Sequence, residues 1–233
     1  LSTHINDLDF VKIYNEMKDN QHTITAQTNP EYIKDRHYLI NLIKAANVKL
    51  KFKQQTLYLA INYLDIIFNI GASYEADKEL YAICSLMIAA KFEENDPDIP
   101  NVNYFLGLLH RYHSIETMKR LEVIILRALG YKLNYATFFH FVMFLMNYGA
   151  LEGEKEKASV EYKDELKEII EYIKIENNIN YISREYIEEI CGICDYVVNN
   201  GEIILFDNDK IACAVIYYFR ESCKFKTLWP EKF

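Results

Sequence analysis

The chain has 233 residues, of which only 7 are glycine and 4 are proline. Average proteins carry about 12% of these two residue types, so this chain has too few turn residues for a sandwich or barrel of many short strands. Lys and Arg number 26 against 34 Asp and Glu, which gives a net charge of −8. This charge argues against nucleic acid as the main partner, because a phosphate backbone is bound by clusters of Lys and Arg.

The sequence also indicates a compartment. No run of 18 apolar residues is present, so no membrane span is predicted. The segment Leu1–Asp9 lacks the basic start and apolar core of a signal peptide. Five cysteines, an odd number, are scattered over otherwise apolar segments, which favours reduced thiols in a cytosolic or nuclear protein.

The first helix is predicted over His4–Asn20, where apolar residues recur at helical spacing. Its stripe consists of Ile5, Leu8, Val11, Tyr14 and Met17. Asn29-Pro30-Glu31 predicts the start of a second helix, since it combines a capping residue, a proline suited to the first turn and a favourable acid. This helix is predicted to run to about Asn47, and one face is expected to carry Tyr38, Leu42, Ala45 and Ala46.

Two further helices are predicted before residue 100. Lys53–Asn69 has the same periodicity, and Gly71 is a candidate C-cap. Within Asp77–Glu94, the stretch Ala82–Ala90 is apolar or small on every side, which is typical of a buried central helix. Asp96-Pro97 ends that helix, and a short helix is predicted over Ile99–Leu109.

The rest of the chain is also predicted to be helical. Ser114–Leu129 has a capping serine and a stop at Gly130. Leu151–Ala158 is a charged connector, and Glu202–Phe206 is a short apolar run that periodicity alone does not assign. The remaining helices are predicted over Thr137–Tyr148, Lys163–Asn177, Ser183–Asn199 and Asp207–Cys223. The last of these has a second small, nearly all-apolar centre and is expected to be a second buried helix. The pattern therefore predicts an all-α protein built as two helical domains on a similar plan.

Four segments resemble the cyclin family. Thr56–Asp65 (TLYLAINYLD) is similar to the second helix of a cyclin box, and Leu86–Glu94 (LMIAAKFEE) is similar to the buried third helix and its exit. Arg120-Leu121-Glu122, with the leucines that follow it, resembles the fourth helix. Ile211–Ala214 followed by Trp229-Pro230-Glu231 resembles the second box of the A and B types. The segment Ile5–Met17 also resembles the N-terminal helix of mitotic-type cyclins.

The resemblance implies a domain organisation. It implies tandem cyclin-box helical domains preceded by an N-terminal helix and linker at 1–29, with the first box at 30–135. The second box occupies 136–233, carries an inserted segment near 151–180 and is expected to be truncated. The insertion is expected to be either a solvated segment or an added partner surface.

The resemblance also implies a function. Cyclins bind a cyclin-dependent protein kinase and switch it on, and they do no chemistry themselves. The positions that match the kinase-binding residues of the family are Lys91 and Glu122. Apolar positions that match their surroundings are Ile88, Phe92, Leu126 and Leu133. Helical spacing supports this set, since Ile88 and Phe92, and likewise Glu122 and Leu126, are four residues apart and share a face. For a single lysine or glutamate in isolation, a helix-terminal or solvated surface role is the alternative.

A second family site is altered. Many cell-cycle cyclins dock substrate motifs on a first-helix patch that reads M-R-A-I-L-x-x-W. The matching stretch here keeps Arg36 and Leu39 but has Asp35 for Met and Leu42 for Trp. Burying an acid in place of an apolar anchor adds a desolvation cost, so the sequence argues against substrate docking of that kind. Arg36 is then a candidate structural residue that braces the first helix.

No enzymatic site is predicted. Cys191-x-x-Cys194 lacks the second ligand pair that a zinc site needs, and His110-x-x-His113 likewise lacks partners. No glycine-rich phosphate loop or nucleophile elbow is present. The sequence therefore predicts no catalytic residue, metal, cofactor, nucleic-acid partner or membrane partner. The alternatives to a kinase-binding cyclin are a cyclin-fold scaffold and a transcription-factor-like interaction protein.

Overall fold

The computed structural model describes residues 7–22, 29–70, 77–151 and 184–226. In these ranges the regular elements are helices, without a β-strand, and this confirms the predicted all-α class. The first helices are α1 (Asp7–Asp19), α2 (Pro30–Leu50), α3 (Gln54–Asn69), α4 (Lys78–Glu93), α5 (Val102–Leu106) and α6 (Ile115–Ala128). The later helices are α7 (Phe138–Asn147), α8 (Arg184–Asn199) and α9 (Asn208–Ser222). Short 3-10 turns lie at Asp96–Asp98 and Gly201–Leu205.

Helix α4 is the centre of the first half of the chain. It packs against α2, α3, α5 and α6, and every residue from Leu80 to Ala90 is buried. Small residues such as Ala82, Ser85 and Ala89 are fully enclosed, which lets the neighbouring helices approach closely from several sides. The prediction of a buried central helix is confirmed here.

The predicted caps set the helix boundaries. The Asn29 side chain accepts hydrogen bonds from the backbone N–H groups of Glu31 and Tyr32 at the start of α2. The Ser114 hydroxyl accepts one from Thr117 N at 3.1 Å at the start of α6. Helix α6 ends as predicted before Gly130, whose φ of 60° suits a residue without a β-carbon.

A buried ionic network joins α2 to α3 and to the end of α8. The Arg36 guanidinium donates to both carboxylate oxygens of Asp65, at 2.7 and 2.9 Å. It also donates to the carbonyl of Val198 at 2.6 Å, and the Tyr32 hydroxyl donates to Asp65. Arg36 is only 2% exposed, so the guanidinium satisfies a buried carboxylate and the carbonyl end of another helix together. The predicted bracing role of Arg36 is therefore observed in the geometry.

The N-terminal helix packs on the second half of the chain. The Phe10 ring stacks on Phe144 at a centroid distance of 5.1 Å, and the Tyr14 ring meets Phe141 edge-on at 5.6 Å. The Tyr14 hydroxyl donates to the carboxylate of Asp209 at 3.3 Å. Helix α1 therefore fixes α7 and the start of α9, and its buried face is aromatic.

The face that α2 buries differs from the prediction. Tyr38 is 49% exposed and Ala45 is also exposed. The buried residues are Tyr32, Arg36, Leu39, Ile40, Ile43, Ala46 and Asn47. The true face contains two polar side chains with internal partners, which an apolar periodicity does not register.

Helix α9 is less enclosed than α4. It packs against α7 and α8, but its residues Tyr217 and Tyr218 are 44% and 57% exposed. A groove of about 880 Å³ runs between α8 and α9, beside Tyr196 and Tyr218. Within the described residues α9 is buried along part of its surface only. The expectation of a second buried central helix is therefore wrong, and a second cyclin box stays a prediction.

Some sequence features lie outside the described residues. These are Gly71, the Trp229-Pro230-Glu231 motif, the Lys163–Asn177 helix and all but the first residue of the inserted segment near 151–180.

Candidate functional site

The structure brings Lys91 and Glu122 together. Lys91 Nζ lies 2.6 Å from Glu122 Oε1, although the residues are 31 positions apart in the chain. Lys91 is in the last turn of α4 and Glu122 is in the middle of α6, two helices that pack side by side. The side chains are 45% and 18% exposed, so the pair lies at the surface and is accessible to a partner.

The exit of α4 holds Lys91 in place. The carboxylate of Glu94 accepts hydrogen bonds from Lys53 N at 2.7 Å and from the Thr56 hydroxyl at the start of α3. The Lys53 ammonium in turn donates to the carbonyl of Glu93 at 2.7 Å. The first turn of α3 and the last turn of α4 therefore satisfy each other's unpaired backbone groups. This gives the motif ending in Glu93-Glu94 a structural role, which is to fix the end of the helix that carries Lys91.

Both ends of α6 fix the position of Glu122. The cap at Ser114 sets the start of the helix, while Met118, Leu121 and Ile125 form its buried stripe. Glu122 follows Leu121 at the edge of this stripe and therefore emerges beside α4. A hydrogen bond of 2.8 Å from Tyr131 N to the carbonyl of Leu126 closes the far end.

The four apolar residues of the predicted set lie at different depths. Phe92 is 45% exposed, whereas Ile88, one turn earlier on α4, is 2% exposed and lies in the core beneath the site. Leu126 and Leu133 are partly buried and pack against the core. The Tyr63 hydroxyl donates to the carbonyl of Leu133 at 2.7 Å and so fixes the segment after α6. Of these four residues, Phe92, Leu126 and Leu133 therefore contribute most of the accessible apolar surface around the pair.

Three further apolar residues widen this surface. Ile115 and Val123 on α6 are 40% and 43% exposed, and Tyr131 just after α6 is 65% exposed. Tyr131 has a φ of 58°, a conformation that costs a non-glycine residue about 1–2 kcal/mol. These three residues were not predicted from the sequence. Ile115 lies seven residues before Glu122, a helical spacing that could have identified it, whereas no such spacing relates Val123 or Tyr131 to Glu122.

The first-helix patch has a polar surface. Arg36 and Leu39 are buried and Leu42 is partly buried. The exposed positions carry Asp35, which pairs with Lys78, and Tyr38, which donates to Glu79. The Tyr38 hydroxyl, more than His110, holds the pKa of Glu79 below its usual range. The prediction that substrate docking of the Arg-x-Leu kind is absent stays a prediction.

The remaining cysteine and histidine pairs have local roles. Cys194 is fully buried, and burial raises the pKa of its thiol. His113 Nε2 lies 3.0 Å from Asp77, and His110 Nδ1 lies 3.1 Å from Glu79.

Within the described ranges, no three His, Cys, Asp or Glu side chains are grouped so that they could hold a metal ion. Over the same ranges, no helix combines the length and apolar character needed to cross a bilayer.

Comparison with known protein families shows which family the chain that carries this pair belongs to. The family model described as "Cyclin, N-terminal domain" matches residues 9–134, which is more than half of the chain. The chain belongs to the cyclin family. The match covers α1 to α6, and it therefore includes Lys91, Glu122 and the central helix α4.

Similar curated cyclins are distant. A "Cyclin-D" of Ostreococcus tauri is 27% identical over 169 residues, which are 71% of this chain and 41% of that protein. A "G2/mitotic-specific cyclin-B" of Marthasterias glacialis is 26% identical over 62% of this chain and 36% of that protein. "Cyclin-A1" of Xenopus laevis is 23% identical over 70% of this chain and 38% of that protein. The aligned part thus spans about two fifths of the length of these relatives.

Proposed function

We propose that this cyclin binds a cyclin-dependent protein kinase through the surface around Lys91 and Glu122 and thereby activates it. The observation that carries the proposal is the exposed Lys91–Glu122 pair, set between α4 and α6 and bordered by Phe92 and Val123. The family membership of residues 9–134 supports it.

The pair has unused bonding capacity. An ammonium group has three donors, and Lys91 uses one of them on Glu122. A carboxylate can accept about four hydrogen bonds, so Glu122 also has room for more. A helix of a partner has unpaired N–H groups at its start and unpaired carbonyls at its end. Glu122 is suited to accept hydrogen bonds from such N–H groups, in keeping with the helix dipole. Lys91, which lies 2.6 Å away, is suited to donate to a backbone carbonyl close to the same point of the partner.

The apolar border strengthens such contacts. Phe92, Val123 and Tyr131 are each more than 40% exposed in the free chain. Their burial under a partner would supply hydrophobic free energy and keep water away from the charged pair.

Activation follows from conformational preference. A protein kinase is active only when a lysine of its sheet pairs with a glutamate of a mobile helix and magnesium is correctly placed. A cyclin that binds the mobile helix only in its inward position shifts the kinase towards that state, because a ligand favours the state for which it has the higher affinity. The cyclin then acts as a regulatory subunit and performs no chemistry itself.

We assign this role to control of the cell cycle, in the nucleus or the cytoplasm. The resemblance of Ile5–Met17 to mitotic-type cyclins supports the assignment. The relatives include a protein named as a G2/mitotic-specific cyclin. A cyclin-fold scaffold without a kinase is the competing function.

Affinity purification of the chain, followed by mass spectrometry, separates these functions. The proposal predicts that a protein kinase co-purifies with the wild type and is lost with the double variant Lys91→Ala/Glu122→Ala. The matched control is Glu116→Ala/Arg120→Ala, which removes an exposed ion pair of 2.8 Å from the same helix and is expected to retain the kinase. A kinase-free assembly that both double variants retain would favour the scaffold.

A further inference from the structure

Helix α6 carries two exposed cations, Lys119 and Arg127, that its ion pairs do not use. Its five charged residues are Glu116, Lys119, Arg120, Glu122 and Arg127. Arg120 pairs with Glu116, and Glu122 pairs with Lys91. Among the described residues, neither Lys119 nor Arg127 makes a side-chain hydrogen bond or ion pair, and both are exposed. After these two ion pairs are formed, α6 keeps two positive side chains, although the chain as a whole has a net charge of −8.

The two cations flank an exposed apolar residue. Lys119, Val123 and Arg127 follow one another at intervals of four residues, so they form a row along one side of α6. Eight residues of helix separate the cations by about 12 Å along the axis. Val123 in the middle is 43% exposed and directly follows Glu122 in the chain. The row therefore adjoins the Lys91–Glu122 pair.

We propose that this row is an electrostatic selectivity element, and that the partner kinase's mobile helix presents carboxylates to Lys119 and Arg127 on either side of an apolar residue packed on Val123. The inference rests on the proposed function, which names the kinase. It adds the chemistry of the partner surface: an amphipathic helix whose docking side carries acidic groups about two turns apart. Charge complementarity carries the argument, because an exposed cation gains most from a partner of opposite sign.

The position of the row indicates which kinetic step it controls. Charges at the edge of an interface act chiefly on the association rate and on its salt dependence, because they act before close contact. Such steering raises association rates by roughly 10- to 1,000-fold at low salt. At about 0.1 M salt the field extends only about 10 Å, and at 1 M about 3 Å. The row is therefore expected to affect association at low salt and to lose this effect at high salt.

The test measures association of the full chain with a purified cyclin-dependent kinase subunit of known sequence, by stopped flow at low and high salt. The charge-reversed variant Lys119→Glu/Arg127→Glu is expected to associate roughly tenfold more slowly at low salt and at a nearly wild-type rate at high salt. The matched control is Lys12→Glu/Lys34→Glu, which makes the same change in net charge at exposed positions on α1 and α2. This control is expected to associate at nearly the wild-type rate at both salt concentrations. Thermal unfolding of each variant shows that the comparison is between folded proteins.

A reciprocal change in the kinase completes the test. Kinase variants with lysines in place of the non-catalytic carboxylates of the mobile helix are expected to restore fast association with the charge-reversed cyclin. If both double variants slow association equally, or if the kinase change rescues nothing, the inference is overturned while the proposed function stands. If the wild type binds no kinase at any salt concentration, the proposed function fails and the inference fails with it.

Discussion

Replacing Arg36 with alanine is expected to destabilise the first half of the chain strongly. The change removes two hydrogen bonds to Asp65, at 2.7 and 2.9 Å, and one to the carbonyl of Val198 at 2.6 Å. The side chain of Asp65 is only 10% exposed. Among the described residues, its carboxylate would then keep only the Tyr32 hydroxyl as a side-chain partner. Breaking a buried pair in this way costs about 3–5 kcal/mol, a large share of the roughly 5–15 kcal/mol that stabilises a typical domain.

Urea unfolding followed by circular dichroism measures this cost. The matched control is Arg120→Ala, because the Arg120–Glu116 pair is 76% and 73% exposed and such pairs contribute about 0–1 kcal/mol. A third variant, Arg36→Met/Asp65→Leu/Tyr32→Phe, replaces the network by apolar groups and is expected to recover part of the stability, since it leaves no uncompensated charge. A loss of less than about 1 kcal/mol for Arg36→Ala would refute the reasoning that a buried carboxylate depends on this guanidinium.

Two further predictions concern stability. Glu94→Ala is expected to lower the free energy of unfolding by about 1–2 kcal/mol, because it removes the acceptor for Lys53 N and Thr56 at the start of α3. Glu94→Gln keeps an acceptor oxygen and should lose less stability. Equal losses for the two variants in urea unfolding would contradict the capping role. Burial, aided by Asp65 for Tyr32 and by Cys194 and Asp195 for Tyr58, raises the pKa of both phenols in the folded state. The unfolded phenols lose protons above about pH 10 while the folded ones keep them, so the free energy of unfolding should fall as pH rises above that value. The fall should be smaller in Tyr58→Phe, and an identical alkaline profile would contradict this cause.

Periodicity and capping residues predicted most of the described helices. The start of α2 at Asn29-Pro30 and the end of α6 before Gly130 depend on local chemistry, and the structure has both. The burial of α4 could also be predicted from the sequence, because residues 82–90 are apolar or small on every side of the helix. The ambiguous run Glu202–Phe206 became a 3-10 turn at Gly201–Leu205, a form that apolar periodicity does not identify.

The buried face of α2 could not be read from periodicity. That face includes Arg36 and Asn47, whose partners are Asp65 on α3 and the backbone of Phe52 and Lys53. A charged side chain is normally exposed, so only the tertiary contact shows that it is buried. The exposed side of α9 was missed for a related reason, since small and apolar residues do not show which neighbours will cover them.

The resemblance, rather than physical reasoning alone, located the candidate site. Nothing in the spacing of Lys91 and Glu122 predicted that they would approach within 2.6 Å, because that distance depends on how α4 and α6 pack. Phe92 shows the limit of the pattern in another way, since it is 45% exposed while Ile88 on the same face is buried. Depth along a helix face depends on where the neighbouring helix ends, which a sequence does not state.

Activation of a purified cyclin-dependent kinase is the most direct test of the central claim. The rate of peptide phosphorylation would be measured with the kinase alone, with the wild-type chain and with Lys91→Ala, Glu122→Ala and the control Glu116→Ala/Arg120→Ala. If the Lys91–Glu122 pair binds the kinase, the wild type and the control should both stimulate it strongly. Each single variant should lose at least tenfold of this stimulation, which corresponds to about 1.4 kcal/mol of binding free energy. Full stimulation by both Lys91→Ala and Glu122→Ala, with all proteins folded, would contradict the assignment of this pair as the kinase-binding site.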